Sequence, residues 1–381
     1  MRLSKTLVKK VSMKILYIAN ARMPTEKAHG IQIMKTCEAF AELGHEVELI
    51  LPWRFNPIKE DIFEYYNVKK NFKIKKIPSL DLIWAGKIGF WIQSFTFAET
   101  ASWYALLKKS DAIYSRDELP LFNLCFFKKN TFWETHTGRY NFIVKYLLKK
   151  CAGIIAITEG LRDFYTQNGV DLKKIVVAAD AVDIINFSKK YVQADVRKKL
   201  GLPLDKKIAL YVGRLDGWKG LETALEASKL LPAEIQMVII GGEEKQAARF
   251  KKEYPNVIFL GFRPYRELAE NLAAADVLLL PNTGKNEISA RFTSPLKLFA
   301  YMVSKKPIIA SDLPSIREIL GEENAYLVAP DDGISLAEAI KNTLNQEDIS
   351  ESKANRAYQD VQKYTWRARA DKIINFIRKW K

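Results

Sequence analysis

Cysteine and histidine are scarce: three of each in 381 residues. Cys37, Cys125 and Cys151 are too few and too scattered for a disulfide framework or a zinc site, and the chain reads as intracellular. The histidines are dispersed and no Asp-x-Asp motif occurs, so no segment has metal-ligand spacing and no metal is expected. No apolar stretch of about 18 uninterrupted residues is present, which argues against a spanning helix. The first residues do not read as a secretory leader. Residues 1–14 hold five basic residues and no acidic one, but the short run ILYIAN follows where a leader needs an apolar stretch of about 7–15 residues. Short-period repeats and low-complexity tracts are absent.

What is present is ordinary globular composition: 48% hydrophobic and 27% charged residues. That excludes disorder for most of the chain and supports two buried cores. The net charge of +16 invites an anionic partner: nucleic acid, acidic lipid or a phosphorylated substrate. No nucleic-acid recognition module is visible, so nucleic acid is not expected. Residues Trp84–Tyr104 hold seven aromatics in 21 residues with only Lys87 and Glu99 charged. Trp84, Ile88, Trp91, Ile92 and Phe95 fall at helical spacing. Two readings stay open: a buried helix, or an exposed aromatic face beside basic runs such as Lys69–Lys76, suited to a membrane surface.

Short β-branched runs alternate with helical patterns. Lys14–Ala19, Glu46–Leu51, Phe72–Ile77, Ala112–Ser115, Thr131–Trp133 and Gly153–Ile157 read as strands of a first half. Lys207–Val212, Ile235–Ile240, Val257–Leu260, Val277–Leu280, Pro307–Ala310 and Ala325–Val328 read as strands of a second. The alternation predicts parallel βαβ units in two doubly wound halves, with a ligand cleft between them at the carboxyl ends of the strands. The polar stretch Asp183–Lys206 reads as the linker. The reading divides the chain into a basic extension (1–12), an N-terminal domain (13–185), a C-terminal domain (186–363) and a final amphipathic helix (364–381).

Three segments carry chemistry. After the first strand, NARMPTEKAHGI holds one glycine, against the three of a dinucleotide fingerprint. Gly30 still permits close backbone approach by an anion at a helix start, or it merely starts the helix. In YVGRLDGWKG a strand ends in a glycine turn with Arg214 and Lys219 at its two ends. That pair suits a diphosphate, or it decorates a solvated loop. In Asn282–Asp312 a long polar loop leads to a helix beginning near Thr293 or Ser294, with Pro295 in its first turn and its N-terminus toward the cleft.

These segments, with MKILYIANARMPTEKAHG, ETHTGRY, AGIIAITEGL, the IIGG after Gln236 and TSPLKLFAYMVSKKPIIASDLPSIREIL, resemble the GT-B, family 4 retaining glycosyltransferases. The resemblance runs from about Met13 to Trp366, in the family's order and spacing. It implies an α/β fold of two Rossmann-like domains whose parallel sheets face a central cleft. It implies a nucleotide-sugar donor held by the second domain, such as a UDP- or GDP-sugar, with no cofactor. A glycan or lipid-linked acceptor would be held by the first domain, and the last helix would cross back to that domain. Gly30 matches the loop against the donor diphosphate, and Arg214 and Lys219 match the pair that neutralises it. Ser294, Leu296 and Lys297 match the helix start facing the distal phosphate. Phe262 and Arg263 fall where the nucleobase packs. His136 matches the first-domain histidine near the reacting sugar.

The pattern breaks at two positions. The family carries two glutamates eight residues apart, and here Phe292 and Ala300 stand in their places. The second glutamate accepts hydrogen bonds from the ribose. Losing such a bond costs roughly 1.5–3 kcal/mol, about ten- to a hundred-fold in donor affinity. Ala300 is open to three accounts: an engineered change, a natural variant with another acceptor such as Glu287, or loss of activity. The expected function is metal-independent sugar transfer in the cytoplasm, at the inner face of an anionic membrane. The alternatives are a non-catalytic nucleotide-sugar or glycan binder, or a sugar-nucleotide epimerase.

Overall fold

A computed structural model describes residues 11–215 and 219–380. The basic extension, apart from Val11 and Ser12, and the triplet Asp216, Gly217 and Trp218 lie outside the described residues. The first sheet has seven strands: β1 (Lys14–Ile18), β2 (Glu46–Pro52), β3 (Lys73–Ile77), β4 (Ala112–Ser115), β5 (Thr131–Thr135), β6 (Gly153–Ala156) and β7 (Ile175–Val177). The second has six: β8 (Lys207–Val212), β9 (Ile235–Ile240), β10 (Ile258–Phe259), β11 (Val277–Leu280), β12 (Ile308–Ser311) and β13 (Tyr326–Val328). Their orders are 3-2-1-4-5-6-7 and 10-9-8-11-12-13. Every pairing between strands is parallel. The central strands are apolar without alternation because helices cover both faces of each sheet. Each order reverses beside its first strand, at β1/β4 and at β8/β11, and crevices for ligands open at the carboxyl ends there.

The chain crosses between the halves twice. After β7 it passes Ala178–Asp183, and Val182 N–H donates to the Tyr364 carbonyl at 3.0 Å, so the outgoing and returning segments pair. The returning helix, Trp366–Arg378, then buries Trp366, Ala370, Ile373, Ile374, Phe376 and Ile377 in the core of the first sheet. Each large apolar side chain so buried contributes about 1.5–3 kcal/mol.

The stretch read as the linker, Asp183–Lys206, forms helices Ile184–Phe187 and Gln193–Leu200. Val196, Leu200 and Leu202 bury in the second core, and Gly201 closes the helix in a left-handed conformation. The apolar spacing of four was masked by the charges around it. The aromatic segment is a helix, Gly86–Leu107, but its aromatic stripe faces outward. Trp84 is 84% exposed, Trp91 53% and Trp103 65%. Gly89, Gln93, Phe97, Ala98, Ala101 and Ala105 face inward instead, because small side chains let the helix approach the sheet and its neighbour closely.

Candidate functional site

The loop after β8 carries the first group of site residues. Gly220 has φ +76°, and a Cβ there would sit 1.6 Å from the Pro281 carbonyl oxygen, so only glycine lets this loop lie on the end of β11. Tyr211 donates its hydroxyl to the Arg214 carbonyl at 3.0 Å and faces the Lys219 carbonyl at 3.3 Å, tying both ends of the loop. Burial, then the Arg214 guanidinium, pushes Lys219 down to about 7, with Asp180 opposing. Lys297 enters from the next element, with its Nζ 4.4 Å from the Tyr211 ring centroid. That Nζ is buried with no hydrogen-bond partner among the described residues. Burial and neighbouring Lys219 hold it well below the usual lysine range. Three basic side chains, Arg214, Lys219 and Lys297, thus interact with one another at the β8/β11 switch point. A buried cation without a counterion is costly, and an entering anion removes that cost.

The long loop expected before Lys297 holds a π-helical turn, Ile288–Phe292, and such turns recur at functional sites. The helix proper is Leu296–Val303, with Pro295 as its uncapped N-terminal neighbour, a little later than the sequence suggested. Its first N–H groups remain available to an anion. The Ser294 hydroxyl already accepts the Asp180 N–H at 3.0 Å, linking this turn to the crossover. Leu296 packs against the first-domain core. Phe292 is buried in first-domain surroundings, 5.5 Å from the Phe164 centroid, and its ring fills the space a Cβ on Gly138 would need. Ala300 is fully buried within the second core. Glu287 pairs with Arg291 at 3.4 Å on the surface.

The first domain supplies the other wall. His136 follows β5, and its Nε2 lies 2.6 Å from Glu134 Oε1. Burial and the cations Arg116 and Arg369 lower the histidine to about 4, although Glu134 pulls the other way. The ring is therefore neutral near pH 7. Glu134 is fully buried, which alone would raise it, yet Arg369, His136 and Arg116 hold it well below the usual carboxylate range. Asp180, on the crossover, is raised to about 6 by burial, against the pull of Arg369. It interacts electrostatically with both Lys219 and Arg369, so the two walls share one field.

Gly30 lies in the first turn of helix Ala28–Glu42. A Cβ there would meet the Tyr66 hydroxyl at 2.2 Å and Thr25 at 2.8 Å, so packing within its own domain already requires glycine. Phe262 is exposed after β10, and Arg263 reaches toward Glu267 at 3.9 Å. Sequence reasoning missed Glu134, Asp180 and Arg369. The first was visible as the acid two residues before His136 at a strand end. The other two gave no local signal. Among the described residues, no three His, Cys, Asp or Glu side chains gather as a metal site would need.

The chain is similar to known proteins in sequence and in fold. Residues 206–346 match the family model described as glycosyl transferases group 1. The chain is 26% identical over 232 residues to a D-inositol 3-phosphate glycosyltransferase of Corynebacterium urealyticum, covering 56% of this chain and 53% of that one. It is 25% identical over 236 residues to a phosphatidyl-myo-inositol mannosyltransferase of Mycobacterium leprae, covering 59% of each. The chain thus spans about half the length of the curated relatives it matches. Among solved structures, Anabaena HepE in complex with UDP and glucose superposes with a TM-score of 0.77 at 16% identity, over 95% of this chain and 98% of that one. Sucrose-phosphate synthase from Thermosynechococcus elongatus gives 0.76 at 20% identity, over 97% and 99%. The chain has the GT-B fold, two Rossmann-like domains with parallel sheets, and its residues 206–346 are similar to the group 1 glycosyl transferases.

Proposed function

We propose that the protein is a retaining glycosyltransferase that moves a sugar from a nucleotide-sugar to a hydroxyl acceptor without a metal. The observation that carries this reading is the convergence of Arg214, Lys219 and the unpartnered Lys297 beside the Leu296 helix start. Glycosyl transfer from such a donor leaves a nucleoside diphosphate, so negative charge develops as the bond breaks. Fixed cations and backbone N–H groups there stabilise the transition state more than the ground state. The sugar gains oxocarbenium character. The acceptor hydroxyl attacks on the face the diphosphate leaves, and a phosphate oxygen takes its proton. His136, neutral, orients the donor sugar. The HepE structures were obtained with UDP and with UDP-glucose, which supports a UDP-sugar as the first donor to test.

Ala300 replaces the ribose-binding glutamate of the resembled family, so donor affinity is reduced in this reading. The test is consumption of a UDP- and GDP-sugar panel by the wild type and by Ala300→Glu. Faster nucleoside diphosphate release by Ala300→Glu supports transfer. Tight nucleotide binding with no turnover in either protein leaves a binding protein. Epimerisation of the donor would mark the third alternative.

The acceptor class follows from the first domain's surface. No helix among the described residues is long and apolar enough to cross a membrane. The Gly86–Leu107 helix nevertheless exposes Ile88, Trp91, Phe95 and Trp103, and the 3-10 turn Ile83–Ala85 just before it exposes Trp84. The helices Glu118–Leu124 and Phe142–Lys150 pack beside it in turn, with Phe126, Phe127 and Phe142 exposed at their ends. Lys87, Lys108, Lys109, Lys129, Lys145, Lys149 and Lys150 are exposed on the same three segments. Aromatic side chains ringed by lysines suit the headgroup layer of an anionic bilayer, where each lysine contributes about 1 kcal/mol. The proposed acceptor is therefore lipid-linked, or a glycan at the cytoplasmic membrane face.

A further inference from the structure

Glu134 has more partners than a surface acid needs and fewer solvent contacts than any other acid in the site: its side chain is 0% exposed. Its Oε1 accepts from Gln32 Nε2 and meets His136 Nε2 at 2.6 Å. Its Oε2 accepts from the Tyr114 hydroxyl and from Arg369 at 2.6 Å. Arg369 is itself fully engaged. Nε donates to the Ala179 carbonyl at 3.1 Å and Nη1 to the Thr36 hydroxyl at 3.1 Å. Gln32 is oriented in turn by Arg116, whose Nη1 donates to its Oε1 at 2.7 Å. The carboxylate is thus held from β4, β5, the Ala28–Glu42 helix and the returning C-terminal helix at once.

An ionised carboxylate only accepts hydrogen bonds. The proton between Glu134 and His136 must therefore sit on His136 Nε2. In a neutral ring the other nitrogen, Nδ1, then carries a lone pair. No described residue bonds Nδ1, and the His136 side chain keeps 20% of its exposure. We propose that Glu134 is a positioning residue that fixes His136 as the Nε2–H tautomer. Nδ1 is thereby kept as an acceptor for a hydroxyl of the transferred sugar, and Arg369 holds Glu134 in that task. The role assigned to Nδ1 rests on the transferase reading; the tautomer does not. The arrangement also makes the returning helix part of the site. Arg369 bonds both the Ala179 carbonyl on the outgoing crossover and Glu134, so one side chain ties the crossover to the carboxylate beside the histidine.

The test is nitrogen NMR of imidazole-labelled protein at pH 7. Only three histidines are present, and a His136→Gln spectrum assigns the signal. The expected result is a neutral His136 with Nε2 protonated and Nδ1 bare, in the wild type and in Arg369→Lys, which keeps the charge. In Glu134→Gln the amide donates toward the ring, and the signal should move toward the Nδ1–H tautomer. In the same variant kcat for UDP-glucose turnover should fall at least tenfold, while UDP affinity stays within twofold, because the diphosphate cluster lies in the other domain. A wild-type spectrum with Nδ1 protonated, or a charged ring, overturns the proposal. So does an unchanged tautomer in Glu134→Gln. If Glu134→Gln does not fold, the wild-type and Arg369→Lys spectra still decide the tautomer. If the tautomer is as stated but no donor is turned over, the positioning stands and the transferase reading fails.

Discussion

Nucleotide binding should be coupled to proton uptake. Lys219 is pushed down to about 7 by burial and then by Arg214, and burial and then Lys219 hold Lys297 well below the usual lysine range. A diphosphate reverses both causes, since it supplies opposite charge at hydrogen-bond distance. At pH 8, a lysine of pKa about 7 is only roughly one-tenth protonated when free, so binding takes up about 0.9 proton at Lys219, and more if Lys297 also charges. At pH 6 Lys219 is already mostly charged, so its share of the uptake falls away. Each proton taken up weakens affinity by about 1.4 kcal/mol, or tenfold, per pH unit above 7. The sign for folding is opposite. The free protein binds fewer protons than the unfolded chain between about pH 7 and 10.5, so its stability rises with pH across that window. Titration of UDP at pH 8 in buffers of different ionisation enthalpy measures the uptake. A binding enthalpy independent of buffer would refute the reasoning, because the lysines would then be charged before the ligand arrives, or remote from it.

Alanine at Arg214 or Lys219 should each weaken nucleoside diphosphate binding by about 1.5 kcal/mol or more, read by calorimetry. Ala300→Glu should tighten nucleotide binding roughly ten- to a hundred-fold. Because Ala300 is fully buried, the new carboxylate should also lower the ligand-free melting temperature, and nucleotide should restore it. Gly220→Ala should lose nucleotide affinity and fold poorly, since its φ of +76° and the Pro281 carbonyl leave no room for a Cβ. Vesicles of phosphatidylglycerol and phosphatidylcholine should co-float the protein at low salt and release it at high salt. Alanine at Trp84, Trp91 and Trp103 together should abolish flotation without changing UDP affinity.

Strand positions were legible because buried parallel strands are short apolar runs. Lys207–Val212, Ile235–Ile240 and Val277–Leu280 match the structure end to end. The three-residue β7 (Ile175–Val177) was missed, although β10 and β13, which are no longer than it, were read. The helical period of the aromatic segment was visible, but its orientation was not. Hydrophobicity alone points Trp91 inward, whereas the sheet selects the Gly89, Ala98 and Ala101 side by its closeness. Arg214 and Lys219 were legible as cations on a strand-to-helix turn. The Glu134–Arg369 pair was not, because its partners are 235 positions apart and only the return of the final helix brings them together. Lys297 was read as part of a helix start. That its amine is buried without a partner is a fact of packing, invisible in sequence.

A structure of the protein soaked with UDP tests the central claim most directly. The account predicts the diphosphate at the β8/β11 switch point, with oxygens within about 3 Å of the Arg214, Lys219 or Lys297 side chains and of the N–H groups that open the Leu296–Val303 helix. A nucleotide bound elsewhere, or a diphosphate that leaves the Lys297 amine without a partner, would contradict it.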